Sequence, residues 1–249
     1  LPHHERRSIR PVKHPHDRIF RGVFSDPEHA RGLLRSAFPE ELAQSADWPT
    51  LQQEPGNFVD HKLAELRSDV LFSVTLRGRK VFLYLLIEHQ STPDQWMLLR
   101  LLGYFVRIWE EQRKLYPDEQ HLRPIIPLIV FHHDADSTPW TKPTAFHQLF
   151  DLPEDLRDQL KPYLPDFSTL LDDLTTQDDD DLRARAMTTL GSVTLFCLKR
   201  ARSSTDIVAE LERWADRLTQ VADAPHGSTA LVTVLRYILE ATNTQPEQL

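Results

Sequence analysis

A chain of 249 residues, 40% hydrophobic and 27% charged, is long enough for one sizeable core with a smaller appendage. Its net charge of −8, from 37 acidic against 29 basic residues, argues against a protein that coats nucleic acid by gross charge. Seven glycines, none in a phosphate-cradling loop or a dinucleotide fingerprint, remove most support for ATP- or NAD-dependent chemistry.

The single cysteine, Cys197, excludes an intrachain disulfide and fits a reducing cytoplasm. It sits in an apolar helical stretch, so a buried inert thiol is expected. No run approaches the ~20 apolar residues of a membrane span. The start, Leu1-Pro2-His3-His4-Glu5-Arg6-Arg7, has no signal-peptide core. The expectation is a cytoplasmic protein with no membrane partner, and Leu1 in place of a methionine reads as trimming or a residual added sequence.

Residues 1–16 are polar and read as a flexible lead-in. His3, His4, His14 and His16 lie there without carboxylate or cysteine partners at ligand spacing, which favours a loose arm over a metal cluster. From Asp17 the chain turns helical. Asp26-Pro27-Glu28 signals a helix start, with Asp as cap and Pro in the first turn. Ala30, Leu33, Leu34, Ala37 and Phe38 recur at helical spacing until Pro39 interrupts. A loop with Trp48 and Pro49 is expected next, and residues 58–63 read as a short strand.

Residues 67–91 read as two β-strands joined at Arg77-Gly78-Arg79. In the first, Val70, Phe72, Val74 and Leu76 share one face, while Asp69, Leu71, Ser73 and Thr75 share the other. In the second, Phe82, Tyr84, Leu86, Glu88 and Gln90 fall on one side. This strand is nearly all apolar, which implies a central position covered on both faces. Antiparallel pairing brings the start of one strand beside the end of the next, so Asp69 and Glu88 are expected to be neighbours.

A long helix follows to about Leu115, with Leu98, Leu101, Leu102, Phe105, Ile108 and Trp109 as its apolar stripe. Its opposite face is expected to carry Arg100, Tyr104, Arg107, Glu111 and Lys114. Residues 124–131 read as a buried strand ending at His132-His133-Asp134. The order of elements indicates an α/β sheet with flanking helices as a core over residues 17–140. Residues 141–178 read as a proline-rich acidic connector with short helical pieces at most. Residues 179–249 read as a helical C-terminal subdomain, with helices near 180–201, 204–222 and 228–241.

Phosphodiester hydrolysis calls for a cation that neutralises charge at phosphorus and activates water near neutral pH. Mg²⁺ takes oxygen ligands, typically one or two carboxylates with waters and substrate phosphate. Asp69 and Glu88 suit that role, with the backbone carbonyl of His89 as a further ligand. Gln90 stands where a nuclease often carries a lysine, so a positive charge in the transition state is absent from that position. Arg100 and Arg107 become phosphate contacts if the long helix starts beside the site. Tyr104, one turn on from Arg100, is a packing or a stacking residue. Against this stands the bland alternative that Asp69 ends a strand, Glu88 meets solvent, and the basic residues form a solvated face. His16-Asp17 is compatible with the His-Asp pair of all-helical metal phosphohydrolases, but the strong strands argue against that fold. His132-His133-Asp134 ends a strand and is compatible with a metal site, though a strand-end loop with exposed polar residues explains it as well.

Several stretches occur together in order: His16-Asp17-Arg18-Ile19-Phe20-Arg21-Gly22-Val23-Phe24-Ser25-Asp26-Pro27-Glu28, Ser68-Asp69-Val70-Leu71-Phe72, Leu86-Ile87-Glu88-His89-Gln90-Ser91, the helix with Met97, Arg100 and Tyr104, and residues 124–131. Together they resemble the Rpn family of recombination-promoting nucleases, also described as putative transposases and associated with bacterial mobile elements. The resemblance covers about residues 14–140 and implies the restriction-endonuclease-like PD-(D/E)XK fold. It further implies a DNA endonuclease dependent on Mg²⁺ (or Mn²⁺) that promotes recombination and works near the nucleoid with DNA as partner; a homodimer is compatible with it. Carried over by motif, Asp69 is the acid of the first half, Glu88 and Gln90 stand for the (D/E)XK half, and Asp17 is an auxiliary acid. Two positions depart from the family pattern: Arg21 where lysine is usual, and His132-His133-Asp134 where Tyr-His-Gly is usual. The rival expectation is a catalytically weak or inactive nuclease-fold module that binds DNA or protein. A strand-transfer transposase would need a further DNA-recognition domain, for which no helix-turn-helix or zinc-ligand set is seen.

Overall fold

The computed structural model describes residues 15–55, 69–88, 93–132, 139–201, 204 and 206–242, with the backbone alone for Ile87 and Glu88. The expected strand at 58–63 lies outside these residues. Helices α1 (Pro15–Phe24), α2 (Pro27–Ala37) and α3 (Glu40–Ser45) open the chain. Asp26 caps α2 as its pattern predicts, its side chain accepting from the Glu28 N–H at 2.8 Å. Strands β1 (Ala46–Gln53), β2 (Val70–Leu76) and β3 (Arg79–Glu88) follow, then the long helix α4 (Met97–Leu115) and β4 (Ile125–Phe131). After α5 (Glu154–Leu160) comes β5 (Leu170–Asp173), and the chain continues through α6 (Asp179–Ala184), α7 (Thr189–Arg200), α8 (Ile207–Arg213), α9 (Ala215–Asp223) and α10 (Gly227–Ala241).

The strands form one mixed sheet in the order β1-β2-β3-β4-β5. The first two pairings are antiparallel and the last two parallel. The parallel β3/β4 pair needs a crossover, which α4 provides. Arg77 and Gly78 close the β2–β3 hairpin with φ of 45° and 78°. That two-residue turn with both central φ angles positive matches the right-handed twist of the strands, and Gly78 takes the left-handed conformation without a Cβ penalty.

Two regions differ from expectation. The segment around Trp48 and Pro49 is a strand rather than a loop. It lies at the sheet edge, where a proline removes no ladder bond that a neighbour requires. The register with β2 slips between Asp47 and Gln52, and the Thr50 hydroxyl takes up the Thr75 N–H at 2.9 Å. Further on, four residues of the acidic stretch, Leu170–Asp173, join the sheet beside β4. Two of the expected C-terminal helices are each broken into two, one with Thr188 capping α7 and one turning at Trp214.

Alternation along the strands sorts the core into two layers. Val70, Phe72, Val74, Leu83 and Leu85 face α1, α2, α7 and α10, sharing one cluster with Phe24, Phe196, Trp214 and Tyr237. Leu71, Phe82, Tyr84 and Leu86 face α4. A mixed sheet covered by helices on both sides is the α/β architecture that the element order predicts, and it is consistent with a restriction-endonuclease-like core.

Candidate active site

The candidate site lies on the sheet face that packs against α4. Asp69 immediately precedes β2 and continues the parity of Leu71, so its carboxylate enters this layer, where the residue is only 5% exposed. A buried carboxylate requires hydrogen-bond donors. Tyr84, cross-strand partner of Leu71, donates its hydroxyl to Oδ2 of Asp69. Burial first, and then the adjacent Asp69 charge, holds the Tyr84 phenol well above its ordinary pKa. Tyr84 therefore remains a protonated donor to Asp69 at neutral pH.

Beyond Tyr84 the polar line continues into α4. The rings of Tyr84 and Tyr104 stand 5.7 Å apart. Burial raises the Tyr104 phenol, while a hydrogen bond from Arg100 works in the opposite direction. Arg100 also donates to Oδ2 of Asp94 at 3.0 Å, and Oδ1 of Asp94 accepts the Trp96 N–H at 2.8 Å where the helix begins. The line Asp69–Tyr84–Tyr104–Arg100–Asp94 thus joins the start of β2 to the start of α4.

Tyr104 does not lie on the polar helix face, where its spacing from Arg100 and Arg107 places it. It is 7% exposed and packs with Leu101, Phe105 and Ile108. Positions 101, 104, 105 and 108 follow the i, i+3, i+4, i+7 rule, so the buried stripe is one residue wider than the aliphatic pattern indicates. Arg100 and Arg107 flank Tyr104 by one turn on either side, and Arg107 is exposed. Lys114 lies near the distal end of α4 and pairs with Glu111 at 3.0 Å.

Glu88 is the last residue of β3, with its backbone in register with Phe131 of β4. The hairpin pairs Val70 with Leu85, so continuing the register sets Asp69 opposite Leu86, with position 88 one period further on the same face. The backbone therefore brings the two acidic positions to one end of the hairpin, offset by two residues. The Glu88 side chain lies outside the described residues, as do His89 and Gln90 entirely. Asp17 is buried in α1, in the layer covering the opposite face of the sheet from the Asp69 carboxylate.

Two histidines assigned to loose segments belong to the core. His16 lies in α1, its Nδ1 2.7 Å from the Tyr237 hydroxyl and its ring 4.8 Å from that of His132. Pro15 opens α1 with a preset φ, drawing His16 into the helix rather than leaving it in an arm. His132 is buried directly after β4, not exposed in a strand-end loop.

Sequence reasoning also passes over Glu54. Its N–H donates to the Leu71 carbonyl at 2.8 Å, extending the Gln53–Phe72 register by one residue beyond β1. Glu54 therefore stands opposite Leu71, on the face of Asp69 and Tyr84. It is 4% exposed, and its Oε1 is buried without a hydrogen-bond partner among the described residues. Gln52-Gln53-Glu54-Pro55 has no pattern that marks a site; only the register of the edge strand reveals it.

A buried carboxylate such as Glu54, with one oxygen lacking a partner among the described residues, suits a hard divalent cation such as Mg²⁺ or Mn²⁺ better than a thiolate- or imidazole-seeking metal. Among the described residues no group of three or more His, Cys, Asp or Glu side chains gathers to hold an ion. Among the described residues no helix is long and apolar enough to cross a membrane.

A family model described as "Putative transposase, YhgA-like" matches residues 14–228. Recombination-promoting nuclease RpnC of Escherichia coli (strain K12) is 28% identical over 239 residues, covering 96% of this chain and 74% of the relative. Recombination-promoting nuclease RpnD of Escherichia coli O157:H7 is 34% identical over 128 residues, 51% of this chain and 48% of the relative. An inactive recombination-promoting nuclease-like protein, RpnE of Escherichia coli (strain K12), is 27% identical over 230 residues, 92% of this chain and 72% of the relative. No solved structure matches the chain.

Proposed function

We propose, for a chain that belongs to the YhgA-like putative transposase family and has recombination-promoting nucleases among its relatives, a DNA endonuclease dependent on Mg²⁺ or Mn²⁺. The observation that carries this reading is the buried Asp69 carboxylate, oriented by Tyr84 at the end of the sheet where β3 delivers Glu88. Asp69 and Glu88 would hold the cation, with the His89 carbonyl as a further oxygen donor. A cation there would offset charge on the scissile phosphate and acidify the attacking water. The Tyr84 hydroxyl fixes one oxygen of Asp69, leaving the carboxylate a single orientation toward its ligand. Arg100 and Arg107 would meet flanking phosphates as α4 leaves the site. Gln90 would orient water or phosphate without supplying charge, so charge stabilisation rests on the cation and the arginines. DNA is the substrate of this reading, and promotion of recombination linked to mobile elements its outcome.

A second reading, a catalytically weak nuclease-fold module that binds DNA or protein, is favoured by Gln90 at the lysine position. The relative named inactive, alike over nearly the whole chain, favours it too. Plasmid nicking with Mg²⁺ or Mn²⁺, with and without chelator, separates the two. The endonuclease reading expects wild-type nicking that chelator abolishes, and Asp69→Ala and Glu88→Ala reduced to the chelated level. Equal cleavage by wild type and both variants sinks it. DNA binding that weakens steeply with salt, without cation-dependent cleavage, supports the module instead.

A further inference from the structure

We propose that Glu54, at the end of the edge strand β1, is a third carboxylate ligand of the cation site formed with Asp69 and Glu88; this rests on the cation-dependent reading of that site. The Glu54 N–H to Leu71 carbonyl bond fixes its position on the ladder. Opposite Leu71, it is the diagonal cross-strand neighbour of Asp69, and diagonal neighbours in an antiparallel pair lie about 7–8 Å apart. That separation suits two carboxylates approaching one cation from adjacent strands, since Mg²⁺ holds oxygens at about 2.1 Å from opposing directions.

Burial is what distinguishes Glu54 from an ordinary strand-end acid. A glutamate with 4% exposure and an Oε1 lacking a donor among the described residues is costly unless something of positive charge meets it. Asp69, on the same face, already has the Tyr84 hydroxyl on one oxygen and adds like charge. A divalent cation resolves it, satisfying the stranded oxygen and the repulsion together.

The site then takes one acid from each of three consecutive strand ends: Glu54 after β1, Asp69 before β2 and Glu88 closing β3. β1 enters the chemistry rather than serving only as the sheet edge. A third carboxylate also raises the negative charge facing the cation, which tightens binding where position 90 carries no lysine.

The test measures cation binding without reference to cleavage. Mn²⁺ would be titrated by calorimetry into the full chain as wild type, Glu54→Gln and Glu54→Asp, with thermal unfolding followed with and without Mn²⁺. We expect Glu54→Gln to bind Mn²⁺ roughly tenfold or more weakly, and Glu54→Asp, which keeps the charge, to lie between it and wild type. In chelator, Glu54→Gln should melt at or above the wild-type temperature, because it removes an uncompensated buried charge. A lower melting temperature in chelator with unchanged Mn²⁺ affinity would show a merely structural glutamate and overturn the proposal, leaving the cation-dependent reading intact. Absence of Mn²⁺ binding by the wild type would defeat that reading, and this proposal with it.

Discussion

At Tyr84, one hydroxyl donates to a buried acid, Asp69. Replacing it by hydrogen in Tyr84→Phe keeps the ring against α4 but takes a donor from Asp69. Losing a hydrogen bond to a buried charged group costs about 1–3 kcal/mol, so the urea midpoint should fall at pH 7. The pH dependence follows from the same contact. The Tyr84 phenol is raised in the folded state by burial and by Asp69. Its share of stability is therefore fully present below the unfolded value of about 10 and is lost as pH rises through the folded one. The phenylalanine variant lacks this share at any pH, so the gap between the two urea midpoints should narrow above about pH 10. A gap constant from pH 7 through alkaline pH would show that the Tyr84–Asp69 contact is not what stabilises the site.

The elements that sequence patterning identifies best are those whose period and burial agree. The hairpin faces, the capped start of α2 and the extent of α4 all follow from alternation, capping residues and a 3.6-residue stripe. The shared end of Asp69 and Glu88 follows from the hairpin alone. What escapes are features set by neighbours distant in sequence. β1 carries a proline and a register slip, so its period is broken and its strand character comes from β2. β5 is four residues of mixed polarity that only the β4 edge makes into a strand. Glu54 is invisible for the same reason, since its face is defined by a bulged edge pairing. Close packing between helices is likewise unwritten in the sequence, and two glycines separate it from mere helix propensity. At Gly227, which opens α10, a Cβ would meet the Val221 carbonyl oxygen at 2.1 Å and that of Ala222 at 2.4 Å. Backbone atoms cannot step aside, so Gly227→Ala should destabilise by about 1–3 kcal/mol or more. At Gly103, inside α4, a Cβ would meet nothing within 4 Å. Gly103→Ala should instead stabilise by roughly 0.5–1 kcal/mol through helix propensity. Thermal melts of the two variants test the contrast, and shifts in the same direction would refute it.

Across the whole molecule, the C-terminal helices are built into the core that covers one face of the sheet. Phe196 stacks on Trp214 with centroids 4.3 Å apart, and both share a cluster with Phe72 and Leu83 of the central strands. A second tie is ionic. Arg185, between α6 and α7, donates two bonds of 2.6 and 2.7 Å to Asp172 of β5, with side chains 12% and 6% exposed. Removing the arginine leaves a buried carboxylate uncompensated, so Arg185→Ala should cost about 3–5 kcal/mol. Cys197 offers an internal reporter of what opens. It is fully buried in α7, and burial pushes its thiol up to about 12, so native protein at pH 8 presents almost no reactive thiolate. Labelling by a thiol reagent then requires the α7 core to open. If sheet and helices unfold as one cooperative unit, Arg185→Ala should accelerate labelling by roughly a hundredfold or more, in proportion to the stability it loses in urea. If the helices open alone, labelling will outrun the urea-derived loss, and the sheet bearing Asp69 and Glu54 will stand as an independent unit.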